Sequence, residues 1–206
     1  MLQSINPYTE EVIKTYPEHS RQEIENIIES ADKAFLSWQK VEFKERSALM
    51  KKAGNVLRKK KDEFGEIMTL EMGKPIEQSI AEVEKCAWVC DYYSENAERF
   101  LSDELIETDA SKSYISYRPL GVVLAVMPWN FPFWQVFRFA APGLMAGNAG
   151  ILKHSSNVSG CALAIEEVFK EARFPENLFR TILVKSSQME FVIEHSLVKA
   201  VTLTGS

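Results

Sequence analysis

Apolar residues recur at two different periods along this chain, and the period changes near residue 103. In the first stretch Ile24, Ile27, Ile28, Ala31, Ala34, Phe35 and Trp38 fall on one face at helical spacing. Ser20-Arg21-Gln22-Glu23 ahead of them has the form of a capping box, in which a hydroxyl and a carboxylate each satisfy an amide left without a partner in the first turn. A second helix is predicted to turn Leu49, Met50, Ala53, Val56 and Leu57 inward. A third spans about 61–72 and is stopped by Gly73 and Pro75. A fourth, from about 76 to 101, carries Ala81, Val83, Ala87, Trp88, Tyr92 and Tyr93. Lysines and glutamates on the outer faces, including the run Arg58-Lys59-Lys60-Lys61-Asp62-Glu63, read as solvated surface.

Polar and apolar residues then alternate over 104–107 and 113–117, around the turn-forming Asp109-Ala110-Ser111-Lys112. This predicts a hairpin with few partners in its own chain, and unpaired strand edges tend to be covered by another subunit. From Gly121 strands and helices take turns. Strands are expected over 122–127, 150–153, 180–184 and 199–203, and helices over about 133–145, 158–172 and 188–195. Continuous β-branched and leucine runs mark strands covered on both faces. The fold class is therefore α/β, a Rossmann-like parallel sheet with N-terminal helices and a protruding β-hairpin, and its ligand site is expected at the carboxyl ends of the strands. The expected divisions are a helical part over 1–102, an oligomerisation hairpin over 103–119 and a nucleotide-binding part over 120–206.

Composition narrows the partners. Of 206 residues 46% are hydrophobic and 26% charged, with a net charge of −5, which argues against nucleic acid or an anionic membrane. No apolar run approaches a membrane span, and Met1-Leu2-Gln3-Ser4 begins no signal peptide. Cys86, Cys90 and Cys161 are too few and scattered for a disulfide framework. The expected compartment is the cytoplasm.

The residues able to carry chemistry cluster at the strand ends. Pro128-Trp129-Asn130-Phe131-Pro132 follows directly on the run 122–127, and Lys153 closes the next strand. A fixed amide N–H such as that of Asn130 can stabilise a developing oxyanion better than mobile water; the plainer alternative is a loop asparagine bonding its own backbone. Lys153 offers a donor and a positive charge where an ordinary dinucleotide fold has an acidic residue on the ribose; the alternative is a solvated strand end. Arg138 lies eight residues beyond Asn130, a rotation of roughly 80° at the α-helical period, so both can border one cavity. Cys86 and Cys90 share a helix face among apolar neighbours, and Cys161 lies early in a helix, so all three read as packed.

Asn6-Pro7, Glu71-Met72-Gly73-Lys74-Pro75, Arg118-Pro119-Leu120-Gly121, the block 128–132, Ala146-Gly147-Asn148, Leu152-Lys153 and Thr204-Gly205-Ser206 together resemble, in order, the landmarks of the aldehyde dehydrogenase superfamily. The stretches 128–148 and 152–162 look most like bacterial succinate-semialdehyde dehydrogenases. The resemblance implies NAD(P)-dependent oxidation of an aldehyde, with Asn130 donating to the substrate oxygen. It implies a cofactor channel at Val126, Met127, Pro128 and Trp129, a grip on the adenosine ribose by Lys153 and Ser156, and pyrophosphate contact at Gly205 and Ser206. Ser156 stands where the family often has a glutamate when NAD is preferred; losing that carboxylate makes NADP acceptable, and NAD or NADP remains open. Lys185 departs from the family's usual glycine beside the adenosine, and either adds charge there or points outward. Arg138 would pair with the distal carboxylate of the substrate, with Phe131, Trp134 and Gln135 lining the same funnel. The family's nucleophilic cysteine and its glutamate base would lie beyond position 206, so the chain is expected to be inactive alone, and its partners to be a small aldehyde and further copies as a dimer or tetramer. The other readings are a non-catalytic nucleotide-binding or assembly fragment, and a dehydrogenase for a different aldehyde.

Overall fold

The computed structural model describes residues 1–205. Helices α1 (Arg21–Trp38), α2 (Phe43–Lys59), α3 (Lys61–Met72) and α4 (Ile76–Phe100) form where the apolar spacing predicts them. Both halves of the capping box before α1 are made: Ser20 Oγ accepts from the Glu23 amide, and the Glu23 carboxylate accepts from the Ser20 amide. Gly73 ends α3 with φ +75, a left-handed turn that L side chains resist.

Some bounds differ from expectation. Within the part expected to be helical over 1–102, the residues before α1 form an antiparallel hairpin, β1 (Leu2–Ile5) and β2 (Val12–Tyr16). Its turn is held by Asn6 Oδ1, which accepts from the Tyr8 amide at 2.9 Å and the Thr9 amide at 3.3 Å. Strands of four and five residues are too short for a period to declare itself. The strand expected over 180–184 is instead β7 (Phe179–Thr181), because from Leu183 the backbone pairs with His19: the His19 amide donates to the Leu183 carbonyl, and the Leu183 amide to His19 Nδ1.

The exposed hairpin is shorter than expected, β3 (Glu104–Leu105) against β4 (Tyr114–Ile115). The parallel sheet comprises β5 (Val122–Met127), β6 (Ala149–His154), β7 and β8 (Val198–Leu203) in the order β7-β6-β5-β8. The first strand thus has later strands on both sides, which sets the crevice at its carboxyl end. β5 and β6 are covered on both faces, whereas edge strand β8 alternates half-buried with exposed, leaving Val201 and Leu203 open to solvent. Helix α1 packs on β5, β6 and β7; α5 (Trp134–Met145) and α6 (Ser159–Glu171) are covered by α2, α3 and α4. A short α7 (Glu190–Ile193) leads into β8. Side chains of α1–α4 and of β5–β7 share one hydrophobic core.

Buried charges tie the helical part to the sheet. Neither α5 nor α6 is capped by its own N-cap side chain. Glu71 of α3 crosses to α6, accepting from the Gly160 and Cys161 amides at 2.8 Å each, and also from Ser4 Oγ. A carboxylate there satisfies otherwise orphaned amides and meets the positive end of the helix dipole. Gly160 permits this approach, since a Cβ at that position would stand 2.7 Å from Glu71 Oε1. At the other end of α5, Arg46 donates to the Met145 carbonyl at 2.9 Å and to the Gln39 carbonyl at 3.2 Å, while Trp38 Nε1 donates to the Leu144 carbonyl at 2.8 Å.

His154, the last residue of β6, is buried. Its Nδ1 accepts from the Ser155 amide, so Nε2 carries the proton and donates to the Pro132 carbonyl at 2.9 Å. Burial drives its pKa down to about 4 from an ordinary 6.5. The unfolded chain therefore binds more protons between those two values, and stability, full above the ordinary value, falls as pH drops through the window. This group accounts for on the order of 3 kcal/mol of that loss. Urea midpoints measured across the window should decline, and His154→Gln should flatten this part of the profile. Glu71→Ala should cost about 3 kcal/mol by stranding two amides, read as a lower urea midpoint with an unchanged m-value.

Candidate functional site

Val126 stands at the centre of the sheet's carboxyl edge, in register with Lys153 of β6 on one side and Leu203 of β8 on the other. Around it opens a cleft of about 510 Å³ lined by Val126, Met127, Pro128, Trp129, Asn130, Gln135, Lys153, Ser155, Leu203, Thr204 and Gly205. Trp129 is 51% exposed and Asn130 is also exposed, both on the bend between β5 and α5. Lys153 is only 8% exposed; burial lowers its pKa, and no carboxylate pairs with it among the described residues. A buried ammonium facing a cleft without a counter-ion suits a ligand rich in hydroxyl and phosphate oxygens. Gly205 adopts φ +138, where glycine brings bare backbone to the cleft wall. These features fit a nucleotide with an anionic backbone.

Arg138 borders an adjoining cleft of about 410 Å³ that shares Met127, Gln135 and Thr204 with the first. Its Nη2 donates to Thr204 Oγ1 at 3.4 Å. The helical-rotation estimate linking it to Asn130 does not apply, because α5 begins only at Trp134 and Asn130 lies in the bend before it. Proximity comes instead from the shared lining. Gln135 Oε1 is buried without a partner among the described residues.

Other candidates lie outside these clefts. Ser156 sits in a 3₁₀ turn over Ser156–Val158, where its carbonyl accepts from Ser159 Oγ; its neighbour Ser155 lines the cleft in its place. Lys185 pairs with Glu18 at 3.3 Å. Phe131 is stacked under Lys74, whose Nζ is 3.9 Å from the ring centroid, and Trp134 lies under Lys85 at 3.8 Å. Ser206 falls outside the described residues. All three cysteines are buried, and burial pushes their thiols above the ordinary range, Cys86 and Cys161 strongly. Among the described residues there is no group of three metal-ligating side chains, and no helix is long and apolar enough to cross a membrane.

Sequence patterns did not reveal Glu82. Its Oε1 accepts from the Phe133 amide at 3.0 Å and the Trp134 amide at 2.9 Å, and its other oxygen pairs with Lys74. The only signal was Lys74 within the block 71–75; Glu82 reads as one more helical glutamate.

Residues 1–206 match the model of the aldehyde dehydrogenase family. The chain is 51% identical over 203 residues to the probable NADP(+)-dependent succinate-semialdehyde dehydrogenase of Synechocystis, with 98% of this chain and 45% of that protein covered. It is 46% identical over 207 residues to the NADP(+)-dependent succinate-semialdehyde dehydrogenase of Mycobacterium avium, covering 98% and 44%. Its fold superposes with a TM-score of 0.97 on the succinic semialdehyde dehydrogenase of Streptococcus pyogenes solved with NADP+, at 36% identity over 100% of this chain and 46% of that one. A betaine aldehyde dehydrogenase of Staphylococcus aureus solved with NAD+ gives a TM-score of 0.92 at 28% identity, over 99% and 42%. The chain thus spans a little under half the length of these relatives, and over all of its residues it belongs to the aldehyde dehydrogenase family.

Proposed function

We propose that this chain provides the nicotinamide-nucleotide cleft and the oxyanion donor of an enzyme oxidising succinate semialdehyde to the acid, with NADP as the preferred cofactor. The observation that carries it is the convergence of Asn130, Lys153 and Gly205 on one cleft at the carboxyl edge of a parallel sheet. Lys153 grips the ribose or its 2′-phosphate, and no carboxylate among the residues lining the cleft opposes that phosphate. Trp129 and Pro128 wall the cleft, and the backbone at Gly205 approaches the pyrophosphate. A bound nicotinamide would accept the hydride. Asn130 holds the aldehyde oxygen as it gains charge, from a bend that needs no reorganisation during the reaction. Arg138 pairs with the far carboxylate of the substrate, a task suited to a fork of donors that stays charged. The relatives named above for NADP(+) and succinate semialdehyde favour both choices.

None of Cys86, Cys90 and Cys161 is available as the attacking thiolate, being buried with raised pKa values. The exposed β3–β4 hairpin, with Leu105, Tyr114 and Ile115 open to solvent, is the face through which copies would pair, in the cytoplasm.

Calorimetric titration of the 206-residue chain should show tighter binding of NADP than of NAD, with Lys153→Met weakening NADP about tenfold or more. Equal, unaltered isotherms would remove the nucleotide assignment. The same chain should oxidise no succinate semialdehyde. In an active polypeptide containing these residues, Asn130→Ala should lower kcat about 10²-fold. Arg138→Leu should raise KM for succinate semialdehyde about ten- to a hundredfold while sparing uncharged aldehydes.

A further inference from the structure

The four residues that follow Asn130 are each held by a group from elsewhere in the chain. The Lys74 ammonium lies over the Phe131 ring, His154 donates to the Pro132 carbonyl, and Glu82 accepts from the amides of Phe133 and Trp134. Lys74 and Glu82 are themselves an ion pair, with side chains only 8% and 3% exposed. A buried ion pair is a poor device for stability alone, since apolar side chains of similar size fill the same space at equal or lower cost. It can do what apolar groups cannot, directing two amides and one ring from a single rigid point.

We propose that Lys74 and Glu82 are a positioning pair for Asn130, fixing the bend from its downstream side so that the carboxamide is already aimed when charge develops on a substrate oxygen. The proposal rests on Asn130 being the oxyanion donor. Glu82 supplies the cap that α5 lacks at its own N-cap, Phe133, and so sets where the helix begins and where the bend must end. Lys74 has two tasks. It steadies Phe131, the residue next to Asn130, and it cancels the carboxylate's charge, which would otherwise oppose an oxyanion forming beside the same bend. Lys74 and Glu82 are positioning residues, acting through the bend rather than on substrate.

The test uses the isotopically labelled 206-residue chain and the variants Glu82→Gln, Lys74→Met and the double substitution, followed by amide hydrogen exchange and relaxation of the Asn130 side-chain amide. In Glu82→Gln the Phe133 and Trp134 amides should exchange about tenfold faster and the Asn130 carboxamide should become mobile. Val89 and Cys90, on the same helix as Glu82, should keep their protection. The double variant, which leaves no lone buried charge, should recover part of the loss. A uniform rise in exchange, or an unchanged Asn130 signal, would overturn the proposal. Should Glu82→Gln fail to fold, Lys74→Met decides alone: Asn130 and Phe131 should loosen while Phe133 and Trp134 stay protected, and a rigid Asn130 there refutes the idea. In an active polypeptide Glu82→Gln should reduce kcat by about 10²-fold with cofactor KM nearly constant. Full catalysis after Asn130→Ala would remove the oxyanion reading while leaving the exchange result intact, so the two failures are distinguishable.

Discussion

Two helices of the sheet layer, α5 and α6, begin on carboxylates they do not own. Glu82 of α4 serves the first and Glu71 of α3 the second, each accepting two backbone amides. A helix start buried against a sheet cannot use water for its free amides, and a short polar residue at the N-cap is the usual remedy. Here the N-caps are Phe133 and Val158, neither of which can serve. The sheet layer is therefore complete only when the preceding helices are docked on it. This agrees with a single core running through α1–α4 and β5–β7. The helical part and the cleft-bearing sheet are in that sense one folding unit, whatever boundary the change of periodicity suggests.

Local rules carried much of the fold. Ser20 and Glu23 announce α1, Gly73 ends α3, and unbroken apolar runs mark β5 and β6 as buried strands. Where these rules failed, the deciding partner was remote in sequence. The β7 boundary depends on His19, 164 positions from Leu183. The opening hairpin depends on an asparagine turn and on Ser4 reaching Glu71, 67 positions away. Edge strand β8 has apolar residues such as Val201 and Leu203 much as its buried neighbours do, and its place at the end of the sheet order is what leaves them exposed.

The cleft divides in the same way. Asn130, Lys153 and Gly205 were legible because strand ends can be located from pattern, and the sheet order then brings them together. Lys185 could add charge at the cleft or point outward, and it turns to Glu18; Ser156 is expected on the ribose, yet its neighbour Ser155 takes the cleft position. Which way a side chain projects from an irregular turn is settled by backbone detail that spacing does not encode. Glu82 was illegible for a simpler reason. On a helix it resembles the solvated charges that surround it, and only its burial, its pairing with Lys74 and its reach across 51 positions to Phe133 set it apart.

Helix α5 is anchored at both tips, by Glu82 where it starts and by Arg46 and Trp38 where it stops. Sliding along its own axis would break contacts at one tip or the other, so the wall it contributes behaves as a fixed jaw. The opposite lip is tethered to that jaw in turn, since Thr204 donates its amide to the Val126 carbonyl at 3.0 Å and accepts from Arg138 of α5 at 3.4 Å.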